Sequence, residues 1–294
     1  MTTTVDIAPF NYRSIKTNSF ITLVAKRRGG KSTWATEINQ NMPGATEGTV
    51  ICLCGSEKTK QYWCQYVPPL FVHDGSVELL QKIIDQQQNR KRKPIKIIID
   101  DMGFDTKFMK SKPFKFLTAN GRQIDATLTV CIQYFNQMPP DARAQIDLFV
   151  LLSTADKTNV EKSYREFASC CDLEVYKSIH NAVTDDFGAL IIDNTRHASS
   201  INNICFYGKV EEEPIPKRQL GSRKFIEYCQ QHYLDMEKVK TRVQQDILEE
   251  DDDHLSDHTL KQALEMFDNK KVFTHSKGKI IIRKLTVAAK SKIE

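Results

Sequence analysis

Residues 25–32 read Ala25-Lys-Arg-Arg-Gly-Gly-Lys31-Ser32 and lie between an apolar run, 19–25, and a helix-like segment, 31–42. The stretch fits the Walker A pattern, with alanine in the place of the first glycine. Gly29 and Gly30 let the backbone turn its N–H groups toward phosphate oxygens, and the start of a helix adds the positive end of its dipole. We therefore predict a phosphate-binding loop between a strand and a helix.

The residue types of this loop predict ATP and Mg²⁺ as cofactors. The Lys31 ammonium would contact the β- and γ-phosphates, and the Ser32 hydroxyl would ligate Mg²⁺. Alanine at position 25 is compatible with the loop only if its φ is not positive. A chance match in a basic loop is the alternative, and the flanking strand and helix disfavour it. The predicted nucleotide-binding residues are Ala25, Lys26, Arg27, Arg28, Gly29, Gly30, Lys31, Ser32 and Thr33.

A second motif, Ile97-Ile-Ile-Asp100-Asp101, is an apolar strand that ends in two carboxylates. We expect this strand to lie beside the loop, so that its last residues face the nucleotide. Asp100 would join Ser32 in holding Mg²⁺, and Asp101 would orient or deprotonate the attacking water. The alternative is an acidic pair that merely starts a turn at Met102-Gly103.

A third polar residue, Gln133, ends the apolar segment Thr127-Leu-Thr-Val-Cys-Ile-Gln133. A polar side chain at the end of a strand near the acidic strand can contact the γ-phosphate or the attacking water. Gln133 is therefore a predicted catalytic residue, with a solvent-facing glutamine as the alternative.

Apolar runs alternate with helix-like segments over the first two thirds of the chain. This alternation is typical of an α/β fold with a mostly parallel sheet covered on both faces. Two later runs, 187–193 and 203–210, predict an antiparallel hairpin that extends the sheet. The predicted strands of the parallel part are 19–25, 48–55, 95–100, 127–133 and 146–153, and the main helices are 31–42, 76–93, 112–122 and 157–169.

Charge and composition divide the chain into four predicted parts. An N-terminal arm covers 1–18, and the nucleotide-binding domain covers 19–245, ending in a long helix at 223–248. Residues 246–253, DILEEDDD, form an acidic linker. The basic C-terminal region, 254–294, is either a small DNA-binding or docking module or a flexible arm that folds back on the acidic linker.

The whole-chain composition excludes several classes of protein. The 294 residues are 40% hydrophobic and 27% charged, with a net charge of +5, which excludes collagen, a fully disordered chain and a disulfide-dense mini-protein. No apolar run approaches the ~20 residues that span a bilayer, and the N-terminus lacks the apolar core of a signal peptide. The eight cysteines show no paired zinc spacing and are interpreted as reduced thiols.

The three motifs, in this order, resemble the genome-packaging ATPases of large DNA viruses, including the poxvirus type, in the HerA/FtsK superfamily. Residues 120–123, Asn-Gly-Arg-Gln, resemble the family's Arg-His segment, with Gln123 departing from histidine. Residues 137–147 resemble its proline and arginine segment, and 187–195 its later strand. The resemblance covers roughly residues 18–210.

The resemblance implies a RecA-like P-loop core that hydrolyses ATP and moves double-stranded DNA into a preformed capsid. It implies a homo-oligomeric ring, expected to be a hexamer, a capsid or portal-vertex protein as partner, and the host cytoplasm or the virion as location. A ring ATPase needs a cation from the neighbouring subunit at the γ-phosphate. Arg122 and then Arg143 are the candidates, with Arg196 third; a surface salt bridge is the alternative for each.

A motor that works on any sequence should contact DNA phosphates. The basic series Lys107, Lys110, Lys112 and Lys115 follows the acidic strand and is the candidate contact inside a ring. Three alternatives to DNA packaging stay open: another HerA/FtsK-type DNA translocase, a P-loop nucleotide kinase, and a degenerate P-loop scaffold. Intact Lys31, Ser32 and the two aspartates disfavour the scaffold.

Overall fold

The computed structural model describes residues 6–89, 93–197, 200–210 and 215–232. The chain divides after Ile226, and the sheet lies wholly in the part before that residue. Within the described residues the sheet has nine strands: β1 Ala8–Pro9, β2 Phe20–Val24, β3 Thr49–Cys54, β4 Val72–Asp74, β5 Ile95–Asp100, β6 Ala126–Ile132, β7 Leu148–Leu152, β8 Gly188–Asp193 and β9 Cys205–Lys209.

Helices connect most of these strands. Residues 223–232 are also helical, and short 3-10 helices occur at Tyr12–Ser14, Pro69–Phe71, Gly121–Ile124 and Phe135–Gln137. The α-helices are α1 Lys31–Asn41, α2 Glu57–Trp63, α3 Val77–Asn89, α4 Thr106–Met109, α5 Lys112–Asn120, α6 Pro140–Arg143, α7 Lys157–Phe167, α8 Leu173–Val183 and α9 Ile201–Ile204.

The strand order is β1-β9-β8-β7-β2-β6-β5-β3-β4. Every neighbouring pair is parallel except the two pairs made by β8, which runs antiparallel to β7 and to β9. The predicted α/β class, the mostly parallel sheet and the antiparallel hairpin are confirmed. Strand β6 lies between β2 and β5 and pairs with both.

The central strands form the core of the molecule. Every residue of β2, β5, β6 and β7 is buried. Strands covered by helices on both faces carry continuous apolar runs instead of alternating ones. These strands could therefore be predicted from the sequence. Because β2, β5, β6 and β7 run in the same direction, their carboxyl ends meet at one edge of the sheet, called here the carboxyl edge.

Several elements lie outside the sequence-based expectations. Strand β1, in the predicted arm 1–18, pairs with β9 at the sheet edge. Strand β4 and helices α2 and α8 fill segments for which no element was predicted. Residues 233–294 lie outside the described part of the chain, and with them lie most of the predicted helix 223–248, the acidic linker 246–253 and the basic region 254–294.

All eight cysteines are free thiols, as the spacing predicted. None of the helices in the described part of the chain has both the length and the apolar character needed to cross a lipid bilayer.

Lys96 is a charged residue inside β5 and is 4% exposed. Its ammonium donates to the carbonyl of Gly44. Burial lowers the pKa of Lys96 to about 8, while Glu47 opposes the shift. The protonated lysine therefore opposes folding at neutral pH, since its charge is better solvated in the unfolded chain.

We expect the stability difference between the wild type and Lys96→Met to depend on pH. Between about pH 8 and 10.5 the unfolded chain binds more protons at Lys96 than the folded chain does, so the free energy of unfolding of the wild type rises with pH. The gain relative to Lys96→Met should approach about 3 kcal/mol across this window. Denaturant unfolding of both proteins at several pH values measures it, and a constant difference would contradict the buried charge.

Candidate functional site

The predicted phosphate-binding loop connects β2 to α1 at the carboxyl edge. Arg28 and Gly30 have positive φ angles of 62° and 82°, while Ala25 does not have a positive φ. The condition for alanine in the first glycine's place is therefore met. A Cβ atom at Gly29 would lie 3.0 Å from both the Cβ of Ala25 and the carbonyl oxygen of Lys26. The tight loop thus needs glycine at 29 for space and at 30 for its backbone angle.

Lys31 lies over the loop at the start of α1. Its Nζ donates to the carbonyl oxygens of Ala25, at 2.9 Å, and Lys26, at 3.1 Å. An ammonium has three N–H donors, so one remains for a phosphate oxygen. Lys26, Arg27 and Arg28 are exposed around the loop, and Ser32 and Thr33 are half-buried. The loop therefore has positive charge on its outer side and hydroxyl groups on its inner side.

Asp100 ends β5 and is 2% exposed. Its Oδ2 accepts two hydrogen bonds, from the Ser32 hydroxyl at 2.7 Å and from the Trp63 indole N–H at 2.9 Å. Burial raises the pKa of the Asp100 carboxyl, while the Ser32 and Trp63 hydrogen bonds and the Lys31 charge oppose this. The structure thus brings Ser32 and Asp100 together even though β6 separates their strands.

The predicted metal ligands fit a hard divalent cation. Ser32 and Asp100 offer oxygen atoms, and Mg²⁺ is commonly held by one or two protein oxygens together with phosphate oxygens and water. No group of three or more histidine, cysteine or acidic side chains within the described residues could hold a metal ion by itself. The donor set therefore suits a cation that arrives with a polyphosphate.

Asp101 and Gln133 lie next to Asp100 at the same edge. The Gln133 Nε2 is 3.5 Å from the Asp101 Oδ1, a long hydrogen bond. Asp101 has a φ of 61°, so the backbone leaves the extended conformation directly after β5. Gln137 Oε1 accepts from the backbone N–H groups of Gln133, at 2.9 Å, and Tyr134, at 3.1 Å, and so fixes the end of β6.

The candidate arginine Arg122 lies at the other edge of the sheet, before β6. It forms an ion pair with Asp147, which precedes β7 and also accepts from the Phe20 N–H at 2.8 Å. The Arg122 side chain is 67% exposed. It therefore lies at the edge of the sheet opposite the phosphate-binding loop. The third candidate, Arg196, shares this edge: its Nε pairs with Asp193 at 2.8 Å, and it lies over the Phe206 ring.

Arg143 is held by contacts within the chain. Its Nε donates to the Met138 carbonyl at 2.9 Å, and its guanidinium lies 5.0 Å from the centre of the Phe135 ring. Glu166 lies 3.6 Å from Nη1, and only 14% of the Arg143 side chain is exposed. These contacts suit a structural arginine better than one that reaches a neighbour.

The basic series after β5 lies on the surface. Lys107, Lys110, Lys112 and Lys115 are exposed, and Lys115 pairs with Asp141 at 3.0 Å. The interleaved Phe108 and Phe114 are fully buried and belong to the core. These two aromatic residues are therefore explained by packing, while the lysines and Phe104 lie on the surface.

Trp63 is a site residue that the sequence motifs did not indicate. It ends α2, a helix that begins after Ser56, whose side chain accepts from the Thr59 N–H. The only local clue in the sequence is this serine followed by Glu57, a common start for a helix. Nothing in the sequence shows that the last residue of that helix reaches the carboxylate of Asp100.

Comparisons with known proteins place the chain among viral proteins. A family model described as Poxvirus A32 protein matches residues 72–223, more than half of the chain. Uncharacterized protein 015R of Frog virus 3 (isolate Goorha) is 24% identical over 234 residues, covering 76% of this chain and 72% of that protein. Uncharacterized protein 075L of Invertebrate iridescent virus 6 is 26% identical over 191 residues, covering 62% and 74%.

Among solved structures, the genome packaging NTPase B204 from Sulfolobus turreted icosahedral virus 2, in complex with sulfate, has the same fold. Its TM-score is 0.50 at 14% identity, and the match covers 68% of this chain and 100% of that chain. This likeness supports the P-loop NTPase architecture.

We expect Trp63→Phe to destabilise the protein more than Trp34→Phe. Both indoles are at most 1% exposed, but the Trp63 N–H donates to a carboxylate and the Trp34 N–H to the carbonyl of Phe187, at 3.1 Å. Loss of a hydrogen bond to a charged group costs about 1.5–3 kcal/mol, and to a neutral group about 1 kcal/mol. Denaturant unfolding compares the two variants; equal losses would contradict a charged partner for Trp63.

Proposed function

Because the chain belongs to the Poxvirus A32 protein family, we propose that it is an ATP-hydrolysing motor that drives viral double-stranded DNA into a capsid. The observation that carries this conclusion is the 2.7 Å hydrogen bond from Ser32 to Asp100. It joins the phosphate-binding loop and the acidic strand end into one site. B204, whose fold the chain shares, is itself a genome packaging NTPase.

Each residue of the site has a proposed part in hydrolysis. The backbone N–H groups of residues 25–32 and the Lys31 ammonium bind the phosphates of ATP. Ser32 and Asp100 would hold Mg²⁺, which would supply positive charge at the phosphates when bound. Asp101 orients and deprotonates the attacking water, and Gln133 fixes the position of Asp101 and contacts the γ-phosphate. Proton transfer by a positioned carboxylate contributes about 10²–10⁴-fold in rate.

The position of Arg122 supports a ring assembly. An arginine at the edge opposite its own phosphate-binding loop does not reach the nucleotide bound there, but it can reach the nucleotide of a neighbouring subunit. A trans-acting arginine contributes about 10³–10⁵-fold in rate. We infer a homo-oligomeric ring, a hexamer as in the HerA/FtsK superfamily, with Arg122 as the trans-acting residue and Arg143 as a structural one.

The remaining partners are inferred from the work of a packaging motor. The exposed lysines at 107, 110, 112 and 115 provide a positive surface that contacts DNA phosphates without reading base sequence. A capsid or portal-vertex protein would hold the ring at its site of action. The ring would act in the host cytoplasm, where capsids are filled. It would also be found in the virion if it remains on the portal.

ATP turnover across a protein concentration series, with and without double-stranded DNA, tests the proposal. We expect turnover that DNA stimulates and that rises more steeply than linearly with protein, because the site is completed between subunits. Lys31→Ala should reduce turnover at least 100-fold, since the ammonium contacts the phosphates whose charge changes during the reaction.

Turnover that ignores DNA and is linear in protein would contradict a ring motor and favour a nucleotide kinase, which nucleosides and nucleotides as acceptors would then identify. Near-normal turnover of Lys31→Ala would contradict the assignment of the site itself.

We expect Arg122→Ala to act on the neighbouring subunit. In rings mixed from wild-type and Arg122→Ala chains, turnover should fall by more than the fraction of variant chains, because each variant chain disables a site that it does not contain. Rapid-mixing measurements of phosphate release at several ratios give the curve.

Asp147→Asn is the matched control, since it removes the ion pair but keeps Arg122. Asp147→Asn should retain turnover if Arg122 acts in trans. If the ion pair is only structural, the turnover of Asp147→Asn should fall as that of Arg122→Ala does. A loss in mixed rings that is proportional to the variant fraction would also contradict the trans assignment.

A further inference from the structure

An exposed phenylalanine stands at the carboxyl edge beside the phosphate-binding loop. Phe187 is 67% exposed and directly precedes β8. Because β8 runs antiparallel to β7, with Ala189 paired to Leu152, this turn lies at the edge where β7 ends. Single exposed apolar side chains are common on protein surfaces, so the place of Phe187 is more informative than its exposure.

The backbone holds Phe187 in an unfavourable conformation. Asp186 and Phe187 have consecutive positive φ angles of 48° and 59°. For a bulky side chain this conformation is rare and costs free energy, and such residues cluster at ligand-binding sites. The strain alone assigns no ligand, but it means that the ring position is set by surrounding contacts.

Those contacts lead directly to the phosphate-binding loop. The carbonyl of Phe187 accepts from the Trp34 indole N–H at 3.1 Å. Trp34 belongs to α1, and its Cδ1 lies 4.0 Å from the Cβ position of Gly30. The side chain of Asp186 is paired with Lys209 at the end of β9. One indole therefore separates the Phe187 backbone from the loop, and an ion pair holds the other side of the turn.

The direction of a bound nucleotide follows from the strand order. Asp100, Asp101 and Gln133 lie at the ends of β5 and β6, on one side of β2. The reacting γ-phosphate belongs on that side. The base end of the same nucleotide then extends toward the other side of β2, where β7 ends and β8 begins. Phe187 is the exposed aromatic residue at that place in the described part of the chain.

We propose that Phe187 forms the base subsite of the nucleotide site and stacks on the purine of ATP. This inference rests on the proposed function, since it assumes that residues 25–32 bind the phosphates. The aromatic face suits any planar base, so the subsite favours nucleotides over simple polyphosphates without selecting a base by hydrogen bonding. Trp34 is the positioning residue that links the turn to the loop.

Binding of two probes by calorimetry separates the base from the phosphates. MgATP carries both, and magnesium tripolyphosphate carries the phosphates alone. Phe187→Ala should weaken MgATP binding by about 10-fold or more, the usual effect of losing a base-stacking ring, and should leave tripolyphosphate binding unchanged. Phe187→Tyr should keep both affinities, because tyrosine offers an equivalent ring.

Phe104 is the matched control. It is 66% exposed and follows Asp101 at the same edge, on the β5 side. Phe104→Ala should leave both affinities unchanged. Unchanged tripolyphosphate binding by Phe187→Ala also shows that the variant keeps its folded loop.

Three results would overturn the inference. If Phe187→Ala binds MgATP as the wild type does, Phe187 does not form a base subsite, and the proposed function stands. If sedimentation shows that this variant also has a changed oligomeric state, the Phe187 side chain belongs to a contact between copies of the chain. An equal loss for both probes would assign Phe187 to the stability of the loop. A wild-type protein that binds neither probe would overturn the proposed function and this inference with it.

Discussion

The site depends on one buried carboxylate oxygen. Oδ2 of Asp100 accepts from Ser32 on α1 and from Trp63 on α2, so three elements that are distant in sequence meet at a single atom. A buried carboxylate destabilises the fold unless hydrogen bonds compensate for lost hydration. Gly55 allows the approach, because a Cβ there would lie 1.8 Å from the carbonyl oxygen of Asp101. The requirement to satisfy this carboxylate therefore fixes where α1 and α2 begin and end relative to β5.

The sequence predicted most of the fold because its central strands are buried on both faces. Continuous apolar runs such as Ile95–Asp100 and Leu148–Leu152 have few other interpretations when helix-like segments alternate with them. The order of the strands was harder to predict. Parallel neighbours are joined through helices, so the chain order of β2, β5 and β6 contains no direct information on which of them pair. The sequence therefore did not show that β6 lies between β2 and β5.

The candidate site was predictable where its residues are neighbours in sequence and not where packing brings them together. Lys31 and Ser32 follow from a local loop geometry that glycine makes possible. Trp63 and Phe187 lie in segments whose positions in the fold are decided by tertiary contacts. Neither residue type by itself indicates a function. The arginines show the same limit: sequence alone did not distinguish Arg143, held by Met138 and Phe135, from the exposed Arg122.

The contacts of the Asp147 carboxylate bear on the order in which the subunits of the proposed ring hydrolyse ATP. It binds Arg122 on one side and the backbone N–H of Phe20 on the other, and Phe20 begins the strand that leads into the phosphate-binding loop. A neighbour's nucleotide that attracts Arg122 would leave this carboxylate to Phe20 alone. In the proposed ring, nucleotide binding in one subunit would then affect the phosphate-binding loop of the next subunit through the five residues of β2. Such a coupling would let the subunits hydrolyse ATP one after another.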